Sequence, residues 1–195
     1  WINKTSGEVY ICTDATAGAN VWTNVGEGSG DVKPLTWMGG RALCIGGYNA
    51  GYKDVIDYWT IATLGNAIDF GNLTSPKIEI SGCSNGSRGI AAGGYKSSPS
   101  GTTNEIEYVT IATPGNAVDF GDLTTSSASY CSSLSNGARG IRGGGYSGST
   151  QTNTIDYYTI ATPGNAIDFG DLSSTNEGLT GMSGATRGVF AGGNA

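Results

Sequence analysis

The chain has 195 residues, of which 34 are glycine and none is histidine, and its formal net charge is −6. The absence of histidine excludes Ser-His-Asp and Cys-His nucleophile systems and histidine-ligated zinc. The ten scattered basic residues do not provide the charge that a duplex nucleic-acid binder needs, and no apolar run approaches the about 20 residues that cross a bilayer. We therefore expect no nucleic-acid partner and no membrane insertion. Because the chain begins at Trp1 without a signal-peptide pattern, we also expect it to be part of a longer or processed polypeptide.

The first predicted element is a β-hairpin near the N-terminus. Its strands are Glu8–Thr13 and Asn20–Val25, and a glycine-containing turn at Ala17–Ala19 joins them. Runs rich in β-branched and aromatic residues on either side of such a turn are typical of a hairpin.

Three nearly identical segments follow along the chain. Each reads Ile-(Asp/Glu)-Tyr-x-Thr-Ile-Ala-Thr-x-Gly-Asn-Ala-x-Asp-Phe-Gly, and they begin at Ile56, Ile106 and Ile155. Their Asp-Phe-Gly triplets lie 50 and 49 residues apart. A period of this size indicates one structural unit repeated along the chain.

A second element, with arginine at its start and paired glycines near its end, occurs four times. It begins at Arg41, Arg88, Arg139 and Arg187. Together the two elements define repeat 1 (36–73), repeat 2 (77–123), repeat 3 (128–172) and the partial repeat 4 (178–194).

Each complete unit predicts four short strands, here named a to d. In repeat 2 they are Lys77–Cys83, Arg88–Tyr95, Glu105–Thr113 and Ala117–Leu123. Asn-Gly and Pro-Gly turns supply the backbone angles that tight connections need, and nothing in the unit has a helical period. An all-β unit of four strands and about 50 residues is typical of a propeller blade.

The ends of the chain hold the parts that a closed ring would require. Repeat 4 has strands a and b only, and the hairpin in residues 1–26 aligns with strands c and d, with Tyr10 on Tyr108 and Trp22 on Phe120. We therefore predict one domain, 1–195, folded as a four-bladed β-propeller of four-stranded antiparallel blades, closed by pairing of the N- and C-terminal strands. The alternative is an open stack of three repeats whose N-terminal hairpin packs elsewhere, for example within an oligomer.

Two features of the sequence resemble those of known protein families. The paired glycines after strand b, followed by tyrosine, resemble the Gly-Gly of kelch repeats, although strand d carries Phe70, Phe120 and Phe169 where kelch blades have tryptophan. The segments Trp1–Thr16 and Asn20–Gly26, together with the repeat motif, are similar to tail-fibre and other virion proteins of tailed bacteriophages. This resemblance implies a non-enzymatic appendage module in the virion, with a role in host attachment and other virion proteins as partners.

The arginines that open strand b are open to two interpretations. They would form a ring of guanidinium groups that binds an anionic sugar, or each would cap turn carbonyls or pair with a carboxylate of strand c. The second is favoured, because packing demands the same residue in every unit. The carboxylates are those of Asp57, Glu107 and Asp156.

Several motifs that elsewhere mark a kinase or a zinc site are interpreted here as structural. Asp-Phe-Gly occurs without the other kinase motifs, so we interpret it as a strand d signature. The cysteines show no Cys-x-x-Cys spacing, which argues against a zinc site, and Cys83 aligns with Leu134 and Met182 as an apolar position. A disulfide between some pair of cysteines is the alternative. No catalytic pair is evident, so we expect no enzyme, no cofactor and no metal.

The b–c and d–a loops differ between repeats, and positions free to differ can serve recognition. The b–c loops are Asn49–Asp54, Lys96–Asn104 and Ser147–Asn153, and the d–a loops are Thr74–Pro76, Thr124–Ser127 and Ser173–Glu177. Tyrosines and amides in or beside these loops are the candidate ligand-binding residues. They are Tyr48, Tyr52, Tyr95, Tyr146, Asn104 and Asn153. The expected ligand is a host surface glycan. The alternative is that these short polar loops are simply solvated.

Overall fold

The computed structural model describes residues 9–18, 21–26, 40–126, 128–184 and 186–194. All the secondary-structure elements in this part of the chain are β-strands, and the strands pair in antiparallel fashion. The predicted all-β class is confirmed. Contacts divide the chain into two compact units, 1–38 and 39–195.

The N-terminal unit contains the predicted hairpin. Strand β1 (Val9–Asp14) pairs with β2 (Val21–Gly26), and the pairing extends close to the turn, with Asp14 opposite Val21. The strand c and d pairs of the repeats are different, because residues 109–117 lie between the innermost paired residues, Tyr108 and Val118. The hairpin therefore has a shorter connection than the strands with which its sequence aligns.

Repeat 1 forms a three-stranded meander of β3 (Arg41–Tyr48), β4 (Tyr52–Thr60) and β5 (Ile68–Asn72). The tight connection from β3 to β4 includes Ala50 at φ 51° and Gly51 at φ 148°. The predicted strand a of this repeat falls on residues outside the described ones.

Repeat 2 forms two sheets. The main sheet has the order β7-β8-β11-β12, and a small sheet has the order β10-β9-β6. The strands are β6 (Lys77–Ile78), β7 (Ser81–Ser84), β8 (Arg88–Ala92), β9 (Tyr95–Ser97), β10 (Ser100–Thr102), β11 (Glu105–Thr110) and β12 (Val118–Asp122).

Predicted strands a and b of repeat 2 are each interrupted. Glu79 (φ 59°) separates β6 from β7, and Gly93 (φ 68°) and Gly94 (φ 106°) separate β8 from β9. Left-handed backbone cannot continue an extended strand, so the chain bends at both places. Strand c also ends early, at Thr110, because the Thr113 amide donates to the Thr110 carbonyl and begins a turn.

Repeat 3 forms a four-stranded sheet like the main sheet of repeat 2. Repeat 4 forms only two strands, which correspond to the first two strands of that sheet. The strands of repeat 3 are β13 (Ser132–Ser135), β14 (Arg139–Gly143), β15 (Thr154–Thr159) and β16 (Ile167–Asp171), in that order across the sheet. Repeat 4 is the two-stranded pair of β17 (Glu177–Ser183) and β18 (Gly188–Asn194).

The apolar core lies between successive sheets. One cluster joins repeats 1 and 2 and includes Ile56, Phe70 and Val109. A second joins repeats 2 and 3 and includes Ile90, Phe120, Tyr158 and Ile160. Since each sheet buries its faces against its neighbours in sequence, the repeats stack in chain order.

The predicted ring is not confirmed, because no sheet among the described residues closes on itself. Hairpin β1–β2 and hairpin β17–β18 are each a two-stranded sheet in their own right, so the predicted four-stranded terminal blade is not formed as one sheet. What the structure establishes is the repeated antiparallel meander.

Candidate functional site

The arginines of strand b make contacts that hold neighbouring repeats together. Arg41 Nη1 donates to the carbonyls of Ile111 and Ala112 at 2.8 and 2.9 Å, in repeat 2. Arg88 Nη1 donates in the same way to the carbonyls of Ile160 and Ala161 in repeat 3, at 3.0 and 2.8 Å. These contacts are those of the capping interpretation, not of a ring of free guanidinium groups.

Three of these arginines also lie over a tyrosine of strand c in the same repeat. The guanidinium carbons of Arg41, Arg88 and Arg139 are 4.6, 4.7 and 4.8 Å from the ring centroids of Tyr58, Tyr108 and Tyr157. The cation–π contact fixes the arginine where it can reach the next repeat.

Strand d of one repeat is hydrogen-bonded to the c–d turn of the next. Gly115 N donates to the Phe70 carbonyl at 2.7 Å, and the Asn72 amide donates to Asn116 Oδ1 at 3.0 Å. One repeat further on, Gly164 N donates to the Phe120 carbonyl at 2.7 Å. The Gly-Asn of each turn is thus explained by docking onto the preceding repeat.

Repeat 3 presents the same surface without a c–d turn on it. Phe70 and Phe120 are 2% and 3% exposed, whereas Phe169 is 54% exposed. Within the described part of the chain, no carbonyl accepts a hydrogen bond from Arg139, which is exposed. Phe169 is therefore not buried as Phe70 and Phe120 are, because the described chain has no c–d pair after repeat 3. Arg187, in the last repeat, is also exposed.

Two of the three strand c carboxylates are buried and paired with other cations. Glu107 is 2.9 Å from Lys77 Nζ and also accepts from the Thr74 amide at 2.9 Å. Asp156 is 3.3 Å from Arg142 Nη1, and both side chains are fully buried. Burial raises the pKa of Asp156, an effect that Thr124 and Arg142 partly offset. Both carboxylates are closed off from solvent.

The four cysteines occur as thiols. Cys83 lies against repeat 3, where its Sγ is 3.4 Å from the Tyr158 hydroxyl. Burial raises the pKa of the Cys83 thiol to about 11, although the hydrogen bond with Tyr158 opposes this. Cys12 and Cys44 are exposed.

Three of the predicted tyrosines come together in one groove across repeats 1 to 3. Tyr52, Tyr95 and Tyr146 line a depression of about 160 Å³, together with Tyr130 and Glu79. We name this depression the tyrosine groove. Its remaining lining residues are Ile78, Ser129 and Gly148.

The rings in the groove stand at steep angles to one another. Tyr52 and Tyr95 have centroids 6.3 Å apart and an interplanar angle of 75°. The Tyr95 hydroxyl lies 3.1 Å from Ser100 Oγ in β10, which holds that ring at the edge of the small sheet. Two perpendicular rings present an aromatic corner, and edge-to-face contact stabilises it.

Tyr130 and Glu79 occupy equivalent positions with unusual backbone angles. Their φ values are 52° and 59°, and the equivalent residue in repeat 4 is Gly178, at 67°. Left-handed backbone suits glycine and is uncommon for other residues. Repeats 2 and 3 thus place large side chains at a strained position, and both side chains line the groove. Strain of this kind clusters at binding sites.

Tyr130 and Glu79 also interact with each other. A hydrogen bond with the Glu79 carboxylate, reinforced by its charge, raises the pKa of the Tyr130 hydroxyl. The tyrosine is 49% exposed, so its ring remains accessible. Tyr130 borders a second, open depression of about 340 Å³ that Glu177, Gly178, Gly193 and Asn194 also line.

Three predicted residues do not line the groove. Tyr48 is 69% exposed and contacts Tyr52, with ring centroids 5.8 Å apart. The Asn104 and Asn153 carbonyls accept from the amides of Leu123 and Leu172, both at 2.7 Å, so these asparagines shape the start of strand c. Sequence reasoning missed Tyr130 and Glu79. The available signal was their alignment with Gly178.

The described residues contain no group of three or more acidic, cysteine or histidine side chains placed to hold a metal ion. They also contain no helix of the length and apolarity that crossing a membrane requires.

No protein-family model matches the sequence, and no curated protein matches it significantly. The tyrosine groove and the repeated interface are therefore interpreted from their own geometry.

Proposed function

We propose that the chain is a non-enzymatic binding module of a tailed-phage virion, of the tail-fibre type, that attaches to a host surface glycan. The observation that carries this proposal is the tyrosine groove, in which three repeats contribute tyrosines to one concave surface. The virion location and the other virion proteins as partners come from the sequence resemblance.

The chemistry of the groove suits a sugar. A pyranose ring has an apolar C–H face that stacks on an aromatic ring, and hydroxyls that hydrogen-bond to Tyr OH and carboxylate groups. Tyrosine supplies both kinds of contact, and Glu79 supplies a charged acceptor. A site of this composition binds weakly alone and gains strength when many copies act together on one cell.

The test is binding of the purified chain to a glycan array and to intact candidate host cells. We expect the double variant Y95A/Y146A to lose binding while its melting temperature stays near that of the wild type. The matched control is Y157A, which removes a tyrosine outside the groove. No binding by the folded wild type would overturn the glycan-binding proposal.

A second candidate function is a structural or decorating module that binds other virion proteins. The exposed apolar side chains of repeats 3 and 4 favour it, since a surface of this kind marks an interaction site. They are Ile167, Phe169, Met182 and Val189. Capture of virion proteins that F169A abolishes, with no glycan binding, would select this function.

We also propose that the chain closes into the predicted four-bladed ring. Two observations support it. Repeat 3 exposes the docking surface of Arg139 and Phe169, and among the described strands β18 pairs with β17 alone. A c–d type hairpin would cover the first and pair with the second, and the sequence offers residues 1–26 for this place. The open stack remains the alternative.

A further inference from the structure

We propose that the group recognised in the tyrosine groove is a cationic alkylammonium substituent of the bound glycan, such as a quaternary ammonium. This inference rests on the proposed function, since it names the chemistry of the ligand at the same site. It is carried by the arrangement of rings and charge in the groove.

Four of the eight residues that line the groove are tyrosines. Tyr52 and Tyr95 meet at 75°, and Tyr130 and Tyr146 complete the lining from repeat 3. The face of an aromatic ring carries partial negative charge, so several rings around one cavity attract a cation that is too alkylated to form strong hydrogen bonds. Aromatic cages of this kind recognise quaternary and methylated ammonium groups.

The charge in the groove has the matching sign. Glu79 is the one ionisable carboxylate among its described lining residues, and those residues include no lysine or arginine. Lys77 is 1% exposed and lies 3.1 and 2.9 Å from Glu105 and Glu107. Lys96 is 2.7 Å from Glu105. The two lysines of the small sheet are thus already paired, and the residues that line the groove carry a net negative charge.

The volume of the groove suits a small group of a larger ligand. The groove holds about 160 Å³, below the roughly 300 Å³ at which pockets for whole drug-sized ligands begin. The neighbouring depression beyond Tyr130 is larger and carries a second carboxylate, Glu177. A glycan chain can therefore rest along the face while one ammonium group enters the tyrosine groove.

The same charges disfavour anionic glycans. Glu79 and Glu177 flank Tyr130, and the whole chain carries a net charge of −6. A uronic or sialic acid would meet like charge at short range, which costs binding energy.

The experiment is an NMR titration of the full chain with choline chloride and, separately, with 3,3-dimethylbutan-1-ol. The alcohol has the shape of choline without its charge. We expect choline to bind about tenfold more tightly than the alcohol, since the charge contributes the cation–π and carboxylate attraction. Equal affinity for the two probes would overturn the proposal.

Variants assign the effect to the groove. We expect E79Q and Y95L each to weaken choline binding severalfold, with folding checked by the dispersion of the amide spectrum. The controls are D119N and Y157L, which change an exposed carboxylate and a tyrosine that do not line the groove. Loss in the controls equal to that in E79Q and Y95L would contradict the assignment.

The two proposals fail in different ways. If the chain binds array glycans that lack an amine and ignores choline, the ammonium inference fails and the proposed glycan binding stands. If it binds neither, both fail.

Discussion

The space around the glycine of each Asp-Phe-Gly motif shows whether the next repeat packs against it. Gly71, Gly121 and Gly170 have φ values of 147°, 144° and 134°. A Cβ added at Gly121 would lie 2.6 Å from the Gly164 backbone, and Gly71 faces Gly115 in the same way. At Gly170 a Cβ would meet nothing within 4 Å. The glycine of this motif therefore packs against the next repeat at Gly71 and Gly121, and it faces open space at Gly170.

We predict that G121A destabilises the protein more than G170A does. Both substitutions place alanine at an unfavourable φ, and only G121A adds a clash with the turn of the next repeat. We expect its extra cost to be about 1–3 kcal/mol, as for overpacking elsewhere. Urea unfolding of the two variants measures the difference. Equal losses would mean that another segment covers Gly170.

The residues of the groove were predictable only in part. Tyr52, Tyr95 and Tyr146 follow from their places in or beside loops that vary between repeats, because variation on a repeated scaffold favours recognition. Tyr130 and Glu79 were assigned to strand a, because neither residue type indicates left-handed backbone. Their conformation is set by the bend that the repeats share, which Gly178 adopts without strain.

At the level of elements, repeat 2 is held by charges that join its small and main sheets. Lys77 in β6 and Lys96 in β9 both reach Glu105 at the start of β11. Partial burial raises the pKa of Glu105, but hydrogen bonds and charge from Lys96 and Lys77 outweigh it and hold the pKa below the ordinary value of 4.5.

The depressed pKa of Glu105 predicts a pH-dependent contribution to stability. A carboxyl whose pKa is lower in the folded state stabilises the fold above its unfolded pKa and loses this effect as the pH falls through the folded pKa. We expect wild type to exceed E105Q in free energy of unfolding above pH 4.5, by less than about 1 kcal/mol because the side chain is partly exposed. Below that pH the difference should shrink.

Denaturation at a series of pH values measures this difference. K96M serves as the control, because it removes one of the two lysines and should reduce the pH-dependent part. A gap between wild type and E105Q that grows as the pH falls would contradict the assignment.

Strands c and d could be predicted well, and strands a and b less well. Strand c has β-branched and aromatic residues in a continuous run and a Pro-Gly-Asn turn after it, which are local signals. The interruptions in a and b depend on contact with the next repeat. Gly93, for example, lies where a Cβ would be 2.5 Å from Ala128. A sequence read strand by strand does not contain that contact.

Across the whole molecule, contacts between neighbouring repeats determine the order of the repeats, but they do not determine whether the chain closes into a ring. Repeats 1, 2 and 3 meet through the same arginine and turn contacts. Closure would require pairing between strands at opposite ends of the chain, and such long-range pairing leaves no local sequence signal. The sequence indicates closure in two ways: repeat 4 has strands a and b only, and residues 1–26 align with strands c and d.

Hydrogen exchange tests the proposed closure. In a closed ring, the N-terminal hairpin protects the free edge of β18, so a variant that lacks residues 1–38 should exchange its β18 amides faster than the full chain does. The amides of β11, which pairs on both sides within repeat 2, serve as the internal control. Identical exchange at β18 in both proteins would support the open stack.

The contacts between repeats have a consequence for how such a chain can change over time. The bonds between strand d and the following turn are backbone bonds or use the asparagine that every turn carries. A duplicated copy of one 50-residue unit would therefore meet compatible partners on both sides. In the open stack, in-frame gain or loss of units would lengthen or shorten the binding face in fixed steps, while the loops of each copy diverge toward new ligands.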